Sequence, residues 1–323
     1  MTTPTLDVHL TPGDADLALR ADVRAGLSAA PKWLAPKWFY DARGSELFEQ
    51  ITTLDEYYPT RTERALLRAH AGRIAAASGA DTLVELGSGS SEKTRLLLDA
   101  LHEVGTLRRY VPQDVSISAL EAATIEVAAA YPDIQVHGVV GDFTDHLGEL
   151  PGGEHRLVAF LGGTLGNLIP VERAEFLAGV RGVLSPGEHL LLGVGLVVDP
   201  SVLVPAYDDA AGVTAEFNRN VLHVLNRELG ADFEPEAFEH VALWNARDEW
   251  IEMRLRATRA MHVRVAELDL EVDFAAGEEL RTEVSAKFRL PGIIAELTVA
   301  GFATPAVWTD IDDRYALLLA PAA

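Results

Sequence analysis

The segment Thr82–Thr94 reads TLVELGSGSSEKT, and it indicates the fold more clearly than any other stretch of the chain. Thr82–Leu86 is apolar enough for a buried strand, Gly87 and Gly89 follow, and the residues around Lys93 predict the start of a helix. A strand that runs through small residues into a helix N-terminus is typical of a nucleotide site, because the backbone can approach a ligand closely and free N–H groups attract polar atoms. The alternative is a tight turn without a ligand.

The spacing of this turn disfavours a dinucleotide. The dinucleotide fingerprint G-x-G-x-x-G has a third glycine where this sequence has Glu92, and a carboxylate there would repel a pyrophosphate. Glu85, two residues before the first glycine, favours a positively charged ligand without phosphates. S-adenosylmethionine carries its positive charge on a sulfonium, so we expect it as the cofactor.

The composition excludes several classes of partner and chemistry. A net charge of −22 over 323 residues repels phosphate backbones and anionic lipids, so we expect no nucleic acid and no membrane partner. The absence of cysteine excludes disulfides and thiolate chemistry, and the ten histidines lack ligand spacing, so we predict no metal site. The first ten residues lack a signal-peptide pattern and the apolar run Leu190–Val198 is too short to span a bilayer. We therefore expect a cytoplasmic monomer with a small-molecule substrate.

Predicted strands and helices alternate from Thr82 onward. This order is typical of an α/β fold with a doubly wound, mostly parallel sheet. Two closing strands, Ala303–Thr309 and Tyr315–Leu319, predict a hairpin that completes the sheet. The other predicted strands are Thr82–Leu86, Tyr110–Asp114, Gln135–Val140, Arg156–Leu161 and His189–Leu196, and the predicted helices are Glu92–Glu103, Ser118–Tyr131 and Pro170–Leu184.

The pattern changes after Asp199 and predicts a second, smaller α+β domain. Ser201–Leu229 is largely helical, and strands are predicted over Ala237–Asn245, Trp250–Arg259, Met261–Glu271 and Arg281–Phe288. At the N-terminus we expect a loose tail over 1–12, a helix over Asp14–Ala30 and a helix from a Thr62 cap toward Ser78. The expected domains are a nucleotide-binding domain of 61–198 and 287–323 and a smaller domain of 14–60 and 199–286.

Polar residues at successive strand ends suit the parts of the cofactor. Asp114 follows the second strand, where a carboxylate can accept from two ribose hydroxyls. Asp142 and Phe143 follow the third strand, where they can meet the exocyclic amine and the ring of adenine. Lys93 can reach the methionine carboxylate. For both aspartates the alternative is helix capping.

The fourth predicted strand ends in Phe160–Leu168, FLGGTLGNL, and indicates a substrate site. Asn167 offers both a donor and an acceptor, and Gly162 exposes a backbone carbonyl. The alternative for Asn167 is an asparagine in a left-handed turn.

These strand ends resemble the class I S-adenosylmethionine-dependent methyltransferases, and further segments resemble the histidine-specific Nα-methyltransferases of ergothioneine biosynthesis. The resemblance runs from about Asp14 to the end and includes the inserted domain. Four positions depart from the family pattern: Ser91 replaces a glycine, Gly163 replaces a serine and Val194-Gly195 replaces a polar pair. The segments that carry the resemblance are Pro36–Asp41, Glu56–Glu63, Glu85–Gly89, Gly166-Asn167, Ala206–Thr214, Phe217–Asn220 and Thr282–Ser285.

The resemblance implies three methyl transfers from S-adenosylmethionine to the α-amine of L-histidine, which give hercynine. It implies that Tyr207 and Asn167 hold the histidine carboxylate, that Tyr57 and Gly162 lie beside the amine, and that Glu283 and Ser285 bind the imidazole. Tyr57 and Asn167 are also the candidate catalytic residues, and the sequence does not choose between Tyr57, Asn167 and ordered water as the group that accepts or relays the amine proton. The donor would be held by Gly87, Lys93, Asp114, Asp142 and Phe143.

The residue types agree with this assignment. Glu283 and Ser285 are two apart on a predicted strand, so their side chains share a face. A carboxylate accepts from one imidazole nitrogen and a hydroxyl donates to the other; the alternative is an exposed strand face with two ordinary polar residues. Tyr40, Phe48, Tyr57 and Tyr58 can form an aromatic wall that favours a quaternary ammonium, or they pack in a core.

Three other functions remain open on the sequence. The first is a methyltransferase of the same fold for another aromatic amine, such as tryptophan. The second is a nicotinamide dehydrogenase, which Glu92 and the absence of an evident hydride-site histidine disfavour. The third is a non-catalytic protein that senses S-adenosylmethionine.

Overall fold

A computed structural model describes residues 4–89, 91, 93–144, 146–153 and 155–323, apart from the side chain of Ser118. The expectations for Ser90 and Glu92 lie outside the described residues. The chain divides into two compact units. The first unit comprises Met1–Thr11, Arg61–Leu196 and Phe288–Ala323, and the second comprises Pro12–Thr60 and Val197–Lys287. None of the helices in the described part of the chain combines the length and the apolar character that crossing a bilayer requires.

The first unit is built on an eight-stranded sheet with the order β1-β4-β3-β2-β5-β6-β13-β12. Its strands are β1 (Thr5–Val8), β2 (Thr82–Leu86), β3 (Arg109–Asp114), β4 (Gln135–Val140), β5 (Arg156–Phe160), β6 (His189–Gly195), β12 (Ala306–Thr309) and β13 (Tyr315–Pro321). The strands from β1 to β6 pair in parallel, and β13 pairs antiparallel with both β6 and β12. This confirms the predicted α/β, doubly wound, mostly parallel sheet and its closing hairpin.

The central strands of this sheet are fully buried. In β2, Leu83 lies opposite Tyr110 of β3 and Leu157 of β5, and all three side chains are inaccessible to solvent. Helices cover both faces of such a sheet, which is why its strands are apolar throughout rather than alternating. The carboxyl ends of β2, β3, β4 and β5 therefore lie along one edge, where a doubly wound sheet binds its ligand.

The helices begin close to the predicted positions, with two exceptions. The helix predicted from Glu92 begins at Arg95, and the helix predicted from a Thr62 cap begins at Tyr58, so Thr62 is an interior, buried residue. Pro59 explains the earlier start, because proline suits the first turn of a helix. The helices are α1 (Pro12–Ser28), α2 (Ala42–Thr53), α3 (Tyr58–Ser78), α4 (Arg95–Val104), α5 (Ile117–Ala130), α6 (Pro170–Val183), α7 (Pro200–Leu203), α8 (Val213–Leu229) and α9 (Leu290–Val299).

The prediction of a loose N-terminal tail is wrong for Thr5–Val8. This segment is the edge strand β1, which pairs in parallel with β4, so that Leu6 lies opposite Gly138. The strand has only four residues, and three of them are exposed. Such a short edge strand leaves no alternating pattern to detect in the sequence.

The second unit contains a three-stranded antiparallel sheet with the order β11-β8-β7 and a separate hairpin of β9 and β10. The single strand predicted over Met261–Glu271 is wrong, because the chain turns through Ala266–Leu268 and Asp269 adopts a left-handed backbone with φ 46°. An aspartate tolerates that conformation better than most residues. The strands are β7 (Phe238–Asn245), β8 (Trp250–Ala257), β9 (Met261–Val265), β10 (Leu270–Phe274) and β11 (Glu279–Ala286).

Candidate active site

The turn after β2 has the features of a ligand site. A side-chain carbon placed on Gly87 or Gly89 would meet no described atom within 4 Å beyond its chain neighbours. The Ser88 hydroxyl and both polar atoms of the Gln113 side chain are buried, and no hydrogen-bond partner is found for them among the described residues. Buried polar atoms are normally satisfied by protein, water or ligand. Open space beside unsatisfied polar atoms therefore fits a polar ligand at this sheet edge.

Asp114 and Asp142 are not helix caps, which corrects the alternative considered for both. Asp114 accepts from Gly89 N at 2.9 Å and from Ser116 N at 3.0 Å, while Ser116 itself caps α5. Asp142 accepts from the backbone N and the hydroxyl of Thr144, at 2.9 and 2.7 Å. The Phe143 ring packs edge-on at 5.0 Å from that of Phe160. A carboxylate has about four acceptor positions, so the two bonds of Asp114 leave capacity for a ligand.

Glu85 does not have the surroundings expected of a group that contacts a ligand. Its carboxylate accepts from the hydroxyls of Thr94 and Tyr110, and burial raises its pKa to about 7. Ser91, which replaces the glycine of the family pattern, has a left-handed backbone with φ 54°, and its hydroxyl lies 2.8 Å from that of Tyr110. Glu85 thus joins the strand, the turn and the start of α4 into one hydrogen-bonded network.

Lys93 lies in an ion pair that the sequence did not predict. Its ammonium contacts Glu63, whose carboxylate is completely buried in α3. The other Glu63 oxygen accepts from Gly162 N and from the Tyr315 hydroxyl, both at 2.8 Å. Glu63 therefore links the turn after β2 to the ends of β5 and β13. An ammonium has three donors, so this pair does not by itself prevent Lys93 from binding a ligand carboxylate.

The chain after β5 explains one of the departures from the family pattern. Gly162 and Gly163 both have a left-handed backbone, with φ 79° and 73°. A serine at position 163 would be strained in that conformation, so glycine suits it. Asn167 ends a 3₁₀ turn over Thr164–Asn167, and the suggestion that it lies in a left-handed turn is wrong. Val194 and Gly195 lie in β6, where they pair with β13 and Val194 is fully buried.

Aromatic rings of the second unit form a continuous series. Tyr40 packs edge-on against Phe48 at 5.6 Å, Phe48 against Tyr57 at 6.3 Å and Tyr57 against Tyr207 at 6.2 Å. Phe217 of α8, for which the sequence predicted no role, contacts the rings of Tyr40 and Phe48 at 5.5 and 5.9 Å. Tyr58 belongs to the buried core and is 3% exposed. Three of the four predicted aromatic residues are therefore in ring contact.

Glu283 and Ser285 lie together with Tyr207 and Lys287. A β-bulge at Thr282 interrupts the pairing of β11 with β8, which then resumes with Glu283 opposite Met253. The Ser285 and Tyr207 hydroxyls are 2.8 Å apart, and Ser285 is 6% exposed. Burial raises the pKa of Tyr207 and lowers that of Lys287, and the negative charge of Glu283 adds to the first shift and opposes the second. These residues form one polar cluster, and neither Glu283 nor Ser285 is fully exposed to water.

A buried network fixes the backbone on both sides of this cluster. The His240 ring accepts from Asn218 Nδ2 through Nδ1 and donates to the Tyr207 carbonyl through Nε2, each at 2.8 Å. The Thr282 hydroxyl lies 2.6 Å from Asn218 Oδ1, so the bulge and the Tyr207 loop share the network. Burial lowers the pKa of His240, which favours the neutral ring that this pattern of one donor and one acceptor requires.

Several residues of these clusters have no role predicted from the sequence, among them Glu63, Phe217, His240 and Lys287. Lys287 had a usable signal, because it continues the two-residue spacing of Glu283 and Ser285. His240 and Phe217 had none, since a lone histidine or phenylalanine is most often a core residue. Among the described residues, no group of three or more histidine, aspartate or glutamate side chains is arranged to hold a metal ion.

Comparison with known proteins gives concordant matches along the chain. The profile of the family described as "histidine-specific methyltransferase, SAM-dependent" matches residues 19–322. A histidine N-alpha-methyltransferase of Mycolicibacterium smegmatis is 59% identical over 98% of this chain and 99% of its own length. The protein of the same name from Mycobacterium tuberculosis is 56% identical over 97% of both chains. Ergothioneine biosynthesis protein 1 of Neurospora crassa is 36% identical over 62% of this chain and 23% of its own length.

Proposed function

The chain belongs to the family of histidine-specific, S-adenosylmethionine-dependent methyltransferases, and from this premise we propose that it methylates the α-amine of L-histidine. Three successive transfers give hercynine, and this reaction is the first step of ergothioneine biosynthesis. The observation that carries the proposal is the cluster of Glu283, Ser285 and Tyr207 in a chain of this family. It offers an acceptor and hydroxyl donors of the kind that an amino acid with an imidazole ring requires.

The first unit holds the methyl donor in this proposal. S-adenosylmethionine supplies, when bound, a methyl group on a positively charged sulfur. The open space at Gly87 lets S-adenosylmethionine approach the backbone of this turn. The buried Ser88 hydroxyl, for which no partner is found among the described residues, supports a polar ligand there. Asp114 accepts from the ribose hydroxyls, Asp142 and Phe143 border the adenine, and Lys93 binds the methionine carboxylate.

The histidine is held by its two ends. Glu283 accepts from one imidazole nitrogen and Ser285 donates to the other, while Tyr207 and Asn167 hold the carboxylate. A ring without these two nitrogens can neither donate to Glu283 nor accept from Ser285, so it binds without the two hydrogen bonds that histidine makes. The site therefore selects histidine over tryptophan and phenylalanine.

The amine of histidine must lose a proton before each transfer. Tyr57 and Asn167 are the proposed groups that accept or relay it, and the Gly162 carbonyl orients the amine. Because methyl transfer neutralises the charge of the donor, orientation and exclusion of water provide most of the rate enhancement. The ring series of Tyr40, Phe48 and Tyr57 supports the later transfers, because aromatic faces attract a quaternary ammonium.

The second unit, with Glu283, Ser285 and Tyr207, is the proposed substrate domain, and the first unit is the proposed donor domain. We further propose a cytoplasmic monomer without nucleic-acid or membrane partners. The absence of cysteine and the net charge of −22 support that proposal, since a strongly charged surface disfavours self-association. Size-exclusion chromatography tests the oligomeric state.

Competition between amino acids tests the substrate assignment. With methyl-labelled S-adenosylmethionine, we expect label transfer to histidine to exceed transfer to tryptophan or phenylalanine by about four orders of magnitude in kcat/KM, because polar groups left unpaired reject an analogue strongly. Equal or faster transfer to tryptophan would contradict the proposal and indicate an indole-directed enzyme. Binding of the donor without transfer to any amino acid would indicate a sensor.

A further inference from the structure

We propose that Lys287 is a positioning residue for histidine recognition, because it donates to both the Tyr207 and Ser285 hydroxyls and so directs both of them to donate to the substrate. This inference rests on the proposed function. The Lys287 nitrogen is 2.8 Å from the Tyr207 oxygen and 2.8 Å from the Ser285 oxygen. The two oxygens are themselves 2.8 Å apart, so the three atoms form a closed triangle.

Counting protons in the triangle defines what each group can do. An ammonium has only donors, so both hydroxyl oxygens must accept from Lys287. Each hydroxyl has one hydrogen, which gives two hydrogens in all. The hydrogen bond between Tyr207 and Ser285 uses one of these two hydrogens. A single hydrogen is then left to point toward a substrate. In this arrangement only one of the hydroxyls can donate outside the triangle.

Histidine, as proposed, needs a donor at each end. Tyr207 donates to its carboxylate and Ser285 to its bare imidazole nitrogen, which requires the Tyr207–Ser285 bond to open. Both oxygens remain satisfied as acceptors when that bond opens, because Lys287 still donates to each of them. Lys287 thus allows the hydrogen bond between the two hydroxyls to be replaced by two hydrogen bonds to the substrate, one from Tyr207 and one from Ser285. Without it, the hydroxyls would stay paired or orient either way.

The surroundings of Lys287 suit this role. Lys287 is only 8% exposed, and its side-chain nitrogen lies 4.9 Å from the centre of the Tyr207 ring. Burial lowers its pKa to about 8, while the negative charge of Glu283 acts in the opposite direction. The side chain is therefore charged at neutral pH and has a carboxylate nearby as its counter-charge. The negative charge of Glu283, the proposed imidazole acceptor, and the positive charge of Lys287 also neutralise each other.

A double-mutant cycle tests the inference. Lys287→Met keeps the length and removes every donor. We expect it to raise the KM for histidine by about 10- to 100-fold, the value of one or two hydrogen bonds to charged groups, and to leave S-adenosylmethionine affinity unchanged. In a Tyr207→Phe, Ser285→Ala background, the same change should raise KM by less than about 10-fold, because both hydroxyls are gone and only the charge interaction with Glu283 remains. Lys287→Arg, which keeps two or more donors, should recover most of the affinity.

A matched control is available in the same unit. Lys32 pairs with Glu278 and lies 4.9 Å from the centre of the Phe274 ring, so Lys32→Met removes a similar lysine from a similar environment. We expect it to leave the histidine KM unchanged. Circular dichroism verifies folding, and Lys287→Leu, which also lacks every donor, replaces Lys287→Met in the cycle if the latter does not fold.

Two results would overturn the inference. One is a folded Lys287 variant whose KM for histidine equals that of the wild type. The other is an equal effect of Lys287→Met in both backgrounds, which would make the lysine independent of the two hydroxyls. Histidine turnover by the wild type is a separate readout. If the wild type does not methylate histidine, the proposed function is contradicted rather than this inference. In that case the same cycle is measured on histidine binding by calorimetry.

Discussion

Replacing Glu283 by alanine is expected to weaken histidine binding by about 100-fold and to leave S-adenosylmethionine binding unchanged. The loss follows from the removal of a charged acceptor for the imidazole N–H, since hydrogen bonds to charged groups contribute about 1.5–3 kcal/mol. Glu283 also provides the counter-charge for Lys287, so the variant loses electrostatic balance in a buried cluster. Isothermal titration calorimetry with each ligand separately measures both affinities.

Two further variants make this result specific. Glu283→Gln keeps an acceptor oxygen without the charge, and we expect it to lose about 10-fold in affinity. Glu279→Ala removes another carboxylate of β11, one that pairs with Arg254 and Arg256, and should not change histidine affinity. Unchanged histidine affinity in Glu283→Ala would refute the role assigned to this carboxylate.

Replacing Glu63 by alanine is expected to lower the free energy of unfolding by about 3–5 kcal/mol, the usual cost of breaking a buried ion pair. The carboxylate is completely buried and accepts from Lys93, Gly162 and Tyr315. The site is tightly enclosed, because a side-chain carbon on Gly193 would lie 2.0 Å from a Glu63 oxygen. Urea denaturation followed by circular dichroism measures the loss.

A surface pair of the same unit provides the control. Glu126 pairs with Arg95 and its side chain is 68% exposed, so Glu126→Ala should cost less than about 1 kcal/mol. Glu63→Ala should also weaken S-adenosylmethionine binding, because Lys93 loses the carboxylate that positions it. If Glu63→Ala and Glu126→Ala lowered the free energy of unfolding equally, the hydrogen bonds of Glu63 to Lys93, Gly162 and Tyr315 would not be stabilising the fold.

The core of the fold was predictable because its signals are local. Each parallel strand is a short apolar run followed by a turn, and Thr82–Leu86 is buried along its whole length as such a run predicts. The edge strand Thr5–Val8 was not predictable, since its stability comes from pairing with β4 rather than from its own pattern. The turn within Met261–Phe274 depends on the left-handed backbone of Asp269, and a single aspartate in a strand-like run does not signal that conformation, because few non-glycine residues adopt it.

The site was predictable only where residues are neighbours in sequence. Glu283 and Ser285 share a face through their spacing, and the same rule extends to Lys287. The contact of Ser285 with Tyr207, 78 positions away, requires the fold, as does the approach of Glu63 to Gly162 and Tyr315. Sequence reasoning alone therefore finds the strand ends but not the residues that hold them in place.

The central claim is that this chain methylates the α-amine of histidine, and mass spectrometry of the reaction tests it most directly. Purified protein, L-histidine and excess S-adenosylmethionine should give species that carry one, two and three added methyl groups, with the trimethylated product accumulating at the end. Histidine that remains unmodified while the donor binds would contradict the account, and so would methylation on the ring rather than on the amine.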